Sequence, residues 1–177
     1  MPENIQLFRV LLAAPSDVTV EHELVADAIN DWNVQHGDNA RARVELMSWR
    51  THAHPEAGRR PQALINRQFA DRADVVIAIF WRRLGSPTGK AASGTVEEIE
   101  RAQRRGKKVM VYFSQRPGTG EISPDTRELA RMERFRRTLG RNALYGTYSN
   151  IREFEAAVRK DLALVMREVA PATRKQR

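Results

Sequence analysis

Seven consecutive apolar residues, Val75-Val76-Ile77-Ala78-Ile79-Phe80-Trp81, stand out in a chain that is otherwise rich in charge. The run is short, β-branched and aromatic, and it does not alternate with polar residues. That pattern predicts a strand buried on both faces, as in a parallel sheet covered by helices on each side. The next stretch, 82–92, is full of Gly, Pro and small polar residues and reads as a loop. Ser93-Gly94-Thr95-Val96-Glu97-Glu98-Ile99 then opens a helix expected to run to about Arg105 and stop at Gly106. In open α/β sheets, ligands sit beyond the carboxyl ends of the strands. The loop after Trp81 and the helical turn at Glu98 are therefore where chemistry is expected.

The flanking sequence repeats the same alternation. Residues 8–14 predict a first strand, and the helix after it is expected to be capped by Ser16, with Asp17 at its positive end. Leu24, Val25, Ala28, Ile29 and Trp32 fall on one face of that helix, and Gly37 is expected to close it in the left-handed conformation. Residues 43–49 alternate and predict a second strand near the sheet edge. After a polar loop at 51–60, Pro61 is placed in the first turn of a helix that buries Leu64, Ile65, Phe69 and Ala73. Residues 107–114 predict a fourth strand. Ser123-Pro124 is expected to open a helix with Leu129, Met132, Phe135 and Leu139 inward and Gly140 at its end. Residues 143–148 predict a short fifth strand. Asn150 and Glu153 have capping-box spacing ahead of a last helix that buries Phe154, Val158, Leu162, Val165 and Val169. Five strand–helix alternations predict an α/β fold of three layers, flavodoxin-like, with a five-stranded parallel sheet in the order 2-1-3-4-5 and helices on both faces.

Composition sets limits on function. A chain of 177 residues, 41% of them hydrophobic, suits one domain over 1–171, followed by a basic tail, 172–177, expected to be disordered. It reads equally as a free-standing protein or as the first module of a longer one. With no cysteine, disulfides, thiolate zinc sites and cysteine nucleophiles are excluded, which fits a cytoplasmic location. No apolar run approaches the roughly 20 residues that cross a bilayer, so no membrane partner is expected. The formal net charge of +8 would suit a phosphate-bearing partner, but the arginines spread along the whole chain, and nucleic acid is not expected. The segment 85–90 resembles a phosphate-binding loop but is one residue short and lacks the closing Ser or Thr. His52 and His54 have no third ligand at a fitting spacing, so no metal is expected.

Glu98 is the leading catalytic candidate, in the first turn of the helix that follows the central strand. A plainer role is open from spacing alone: Thr95-Val96-Glu97-Glu98 fits a capping box in which Glu98 bonds back to the Thr95 amide. Glu97 lies about 100° around the helix, so only one of the two can face a crevice. Pro15, Ser16 and Asp17 offer a helix start for a phosphate or ribose hydroxyl, or simply a cap. Trp49 and Trp81 would stack on a base or nicotinamide ring, or pack in the core. Arg83 would meet a pyrophosphate, or stay solvated. Residues 85–92 have the composition of a lid.

Several of these stretches resemble known families. The segment 93–102, followed by Gly106-Lys107-Lys108-Val109, resembles the nucleoside 2-deoxyribosyltransferases, whose pattern is Ser/Pro-Gly-Thr, two residues, then a glutamate that attacks the anomeric carbon. Ala73-Asp74-Val75-Val76-Ile77 is similar to the strand that leads to the catalytic glutamate in NAD-cleaving TIR domains. Ala14-Pro15-Ser16-Asp17-Val18, the run from Ile79 to Thr88 and the run from Ser93 to Glu98 resemble the TIR-like domains of bacterial signalling and defence proteins. That likeness extends over about residues 8–169. The chain departs from many TIR domains in having Gly94-Thr95 where they carry Trp-Cys.

The resemblance implies an NAD glycohydrolase or ADP-ribosyl cyclase in bacterial antiphage defence. In it Glu98 is catalytic, Thr95 joins the substrate-binding residues, and NAD is substrate rather than cofactor. It also implies homo-oligomers or TIR–TIR assembly, with a fused or separate sensor or effector. A nucleoside N-glycosidase or deoxyribosyltransferase-like enzyme, and a non-catalytic interaction or nucleotide-sensing module, remain as alternatives. A single carboxylate suffices for NAD, because nicotinamide departs neutral from a cationic state and needs no acid; ordinary glycosidases use two.

Overall fold

The computed structural model describes residues 4–48, 61–118, 125–141 and 143–170, apart from the side chains of 61 and 67. The apolar run forms β3 (Val75–Phe80), and all six of its residues are buried. Each Val, Ile or Phe so buried is worth roughly 1.5–3 kcal/mol of transfer free energy, so this strand takes the middle of the sheet. β1 (Gln6–Ala13) lies on one side of it, with Val10 opposite Val75, and β4 (Lys108–Ser114) on the other, with Ile77 opposite Met110. β2 (Ala42–Met47) and the short β5 (Gly146–Tyr148) form the edges. All pairings are parallel and the order is β2-β1-β3-β4-β5, as expected from the alternation.

Side-chain alternation on β3 divides the core in two. Ile77 and Ile79 pack with Val25, Ile29 and Trp32 of α1 (Thr19–Ala40) and with Phe154, Val158 and Leu162 of the last helix, α5 (Ile151–Val169). Val76, Ala78 and Phe80 face Phe69, then Val96 and Ile99 of α3 (Gly94–Arg104), then Met132 and Leu139 of α4 (Thr126–Leu139). Asn150 caps α5, its side chain accepting the Glu153 amide at 3.0 Å, but the box its spacing suggested is shifted by one: Glu153 reaches back to the Ser149 amide at 2.7 Å, not to that of Asn150.

Four local expectations need correction. Ser16 does not cap α1. The helix starts at Thr19 with Val18, which has no side-chain acceptor, in the capping position, and Asp17 turns its Oδ2 to the Arg82 amide after β3, 3.0 Å away. Gly37 does not end α1. The helix continues to Ala40, and Arg41 takes the left-handed turn at φ 48°. Gly37 is instead a site of close approach, where an added Cβ would lie 2.1 Å from the Arg43 guanidinium. That guanidinium donates to the Asn33 carbonyl at 2.8 Å, while the Asn33 amide pairs with both backbone groups of Val44, docking α1 on β2. Leu129 is 39% exposed rather than inward. Finally, the helix after Pro61 is not regular: α2 (Pro61–Ile65) passes into a π turn, Asn66–Ala70, closed by the Asp71 amide donating to the Asn66 carbonyl at 2.9 Å.

Arg41 gives a stability prediction. A left-handed non-glycine residue carries about 1–2 kcal/mol of strain, part of which glycine returns as unfolded-chain entropy. Arg41→Gly is expected to stabilise the protein by about 0.5–1 kcal/mol, read as a higher urea midpoint at unchanged slope.

Candidate functional site

In this strand order the chain reverses direction between β1 and β3, and their carboxyl ends open a crevice there. A cavity of about 260 Å³ occupies it, lined by Ala14 after β1, Gly85 and Ser86 after β3, Gln62 and Ile65 of α2, and Gly94, Thr95 and Glu98 of α3.

Local geometry decides which glutamate faces it. The N-cap of α3 is Ser93, whose Oγ accepts the Val96 amide at 3.2 Å. The capping box centred on Thr95 is therefore not formed, and the spacing that suggested it is incidental. Both glutamates are buried, Glu97 at 6% and Glu98 at 5% exposure, but they diverge. Glu97 accepts from Asn66 Nδ2 at 2.9 Å and from Thr88 Oγ1 at 2.5 Å, so it is spent on the π turn and the loop. Glu98 lines the cavity and, among the described residues, accepts only a long contact from Gln62 Nε2, 3.4 Å.

The electrostatics follow from that contrast. Burial pushes the Glu98 carboxyl up to about 8. The Gln62 amide works against this by favouring the charged form, and the neighbouring Glu97 charge adds to it. A carboxyl so placed, in a cleft and displaced by desolvation plus a named neighbour, has the character of a functional group.

The π turn carries part of this arrangement. Asn66, its first residue, is only 2% exposed. There its Oδ1 accepts from Gln62 Nε2 at 3.2 Å while its Nδ2 holds Glu97. Arg101 of α3 clamps Asp71 with two hydrogen bonds, at 2.5 and 2.8 Å, and holds its carboxyl below the usual range. This locks the turn to α3. π turns of this kind recur at functional sites. Gly94 gives the Gln62 amide its room: a Cβ there would lie 2.5 Å from Gln62 Oε1 and push that side chain aside. Gln62, Asn66 and Thr88 were not singled out from sequence. The one available sign was the spacing of Gln62 and Asn66, four residues apart and so on one face of the helix.

The loop over the cavity is held at both ends. Leu84 is fully buried, and its amide donates to Glu128 Oε2 of α4 at 3.1 Å. Arg131 of α4 donates to the Gly85 carbonyl at 3.0 Å and to the Ala92 carbonyl. Gly85 and Gly89 take positive φ, 98° and 81°, conformations that favour glycine.

The remaining candidates are dispersed. Pro15, Ser16 and Asp17 follow Ala14 at the mouth of the crevice but do not line the cavity. Trp81 points to the opposite face of the sheet, where its indole N–H donates to the Arg116 carbonyl at 3.0 Å and the Arg116 guanidinium stacks 4.6 Å from its ring. Arg83 is exposed. Trp49, His52 and His54 lie outside the described residues.

Among solved structures, the chain is similar to the apo form of translation elongation factor SelB from Methanococcus maripaludis, with a TM-score of 0.52 and 13% identity over 95% of this chain. It spans only 37% of that protein's length, and the likeness is one of fold. Oxidised flavodoxin 1 from Bacillus cereus aligns over 92% of this chain and 97% of its own at 12% identity and a TM-score of 0.40. The TIR domains of the activated Roq1 resistosome align over 96% of this chain and 89% of theirs, also at 12% and 0.40. No curated protein matches the sequence. Residues 26–163, well over half of the chain, match the family described as Domain of unknown function (DUF4062), and the chain belongs to that family.

Proposed function

We propose that the Glu98 cavity cleaves the nicotinamide–ribose bond of NAD, by hydrolysis or cyclisation, with Glu98 as the one catalytic carboxylate. The observation that carries this reading is a buried, nearly unpartnered carboxyl lining a cavity at the switch point of the sheet. Breaking the bond develops positive charge on the ribosyl carbon. A desolvated carboxylate at that point stabilises the charge, or takes the ribosyl group as a nucleophile. The raised carboxyl suits a cationic substrate: nicotinamide in NAD carries the positive charge that draws Glu98 into its ionised form. Thr95 beside Glu98 would position the ribose. The cavity lies just below the roughly 300–1,000 Å³ usual for small-molecule sites, so it would hold the nicotinamide ribosyl end. The rest of the dinucleotide would run out past Pro15, Ser16 and Asp17, with Arg83 toward the pyrophosphate. Trp81, on the other face of the sheet, is not given a stacking role. A setting in bacterial defence signalling, with self-assembly, is what the likeness to TIR-like domains supports.

The raised carboxyl also favours a second reading. A group that stays protonated near neutrality is a general acid, and an acid is what a neutral nucleoside needs to release its base. The test incubates the protein, at low and high concentration, with NAD and separately with deoxynucleosides, and follows released nicotinamide or base by chromatography. Nicotinamide release that falls about 10²-fold or more in Glu98→Ala is expected. Base release from deoxynucleosides alone would favour the second reading, and wild-type turnover in Glu98→Ala would remove both.

A further inference from the structure

Residues 126–141 carry six arginines against two glutamates, half of the chain's net charge of +8 in under a tenth of its length. Arg127, Arg134, Arg137 and Arg141 are exposed and form no ion pair among the described residues. Arg127, Arg131 and Arg134 lie within about 60° of one another around α4, with Arg137 on the flank and Arg141 just past the end of the helix. At about 1.5 Å per residue, the 14 residues of the helix span about 21 Å. Uncompensated like charge along one helix face is destabilising, and here nothing described on the protein relieves it.

Arg131 ties this stripe to the cavity. Its guanidinium pairs with Glu128 and donates to the carbonyls of Gly85 and Ala92, one at each end of the loop. Glu128 holds the Leu84 amide. Gly85 and Ser86 are themselves cavity wall. An anion drawn to the stripe would compete for Arg131 and slacken both ends of the loop at once.

We propose that α4 is the docking surface for a carboxylate-rich protein segment, and that docking loosens the loop over the Glu98 cavity. A protein partner is favoured over nucleic acid because the stripe presents no aromatic ring for bases to stack on. Phe135 packs into the core, and the other rings nearby, Phe113 and Tyr145, lie under Arg136. The inference stands whichever reaction the cavity supports, since its readouts are binding and loop motion.

The test uses a labelled oligo-glutamate peptide of about seven residues, enough to span the helix at roughly 3.3 Å per residue. Fluorescence anisotropy should show saturable binding that weakens as salt is raised. The double variant Arg127→Glu/Arg134→Glu should bind at least tenfold more weakly while keeping its thermal midpoint. Hydrogen exchange of the amides in 84–92 should quicken when peptide is bound. Arg131→Ala should show that faster exchange without peptide and no further gain with it. Absence of saturable binding overturns the docking surface, and unchanged exchange in the peptide complex overturns its link to the loop. A single-stranded oligonucleotide of equal charge that binds more tightly than the peptide overturns the assignment of a protein partner.

Discussion

Glu98→Gln is expected to make the protein more stable at pH 8 while removing the NAD cleavage proposed for the cavity. The carboxyl sits at about 8 in the fold and near 4.3 in an unfolded chain. At pH 4 both states are protonated and burial costs nothing extra. As pH rises from there, the unfolded chain ionises first, and it gains about 1.4 kcal/mol per pH unit over the fold until the folded group ionises too. Wild-type stability should therefore decline between pH 4.5 and 8 by a few kcal/mol from this one residue, and Glu98→Gln should lack that decline. Urea unfolding at pH 5 and pH 8.5 reads the difference directly; equal pH slopes in the two proteins would mean that Glu98 is not desolvated in solution. Activity adds a second sign. If the ionised form stabilises a ribosyl cation, kcat/KM on NAD rises as pH climbs through about 8. If the protonated form donates to a leaving base, the rate on nucleosides falls over the same range.

How much of this could be read beforehand varies with the physical nature of each feature. Hydrophobic period is written residue by residue, so the β3 run and the two faces of the core were visible, and so was the Asn150 cap from its side-chain type and spacing. So was the placing of Glu98 at the carboxyl edge of the sheet, since strand–helix alternation determines where first turns fall. The π turn was not visible. It shifts a helix by one residue without changing composition. Asn66 falls at helical spacing with Phe69, Ala70 and Ala73, but nothing in that spacing says that its amide bridges Gln62 and Glu97. The same holds for Ser93, which outcompeted Thr95 as a cap through backbone geometry that spacing does not record. Gly37 shows the converse failure: glycine signals either a left-handed turn or a close neighbour, and only the distant Arg43 decides between them. Glu21 was not singled out, because an acidic residue in the first turn of a helix is ordinary and nothing local marks it as buried.

Glu21 supports the second large expectation. It is fully buried, and its Oε1 accepts from Arg116 Nη2 and from the Tyr148 hydroxyl, both at 2.6 Å. Burial and this carboxylate hold the Tyr148 phenol well above its ordinary range, so it stays a neutral donor across physiological pH. The contact joins α1 to the ends of β4 and β5 across 127 residues of sequence, and Arg116 in turn stacks on Trp81 after β3. One carboxylate thus fastens the carboxyl edge of the sheet, the edge on which the cavity depends. Glu21→Ala would strand a largely buried guanidinium and a buried hydroxyl, and breaking such a cluster from one side costs about 3–5 kcal/mol. For a domain of this size that is a fall in Tm of roughly 10 °C. Burying the same volume with apolar groups should recover most of it: Glu21→Leu with Arg116→Met and Tyr148→Phe is expected within about 1 kcal/mol of wild type, because all three desolvation costs vanish together. If Glu21→Ala alone unfolds at the wild-type midpoint, the carboxylate is not what holds that edge, and the packing of Tyr148 against Phe154, rings 4.8 Å apart, must carry it.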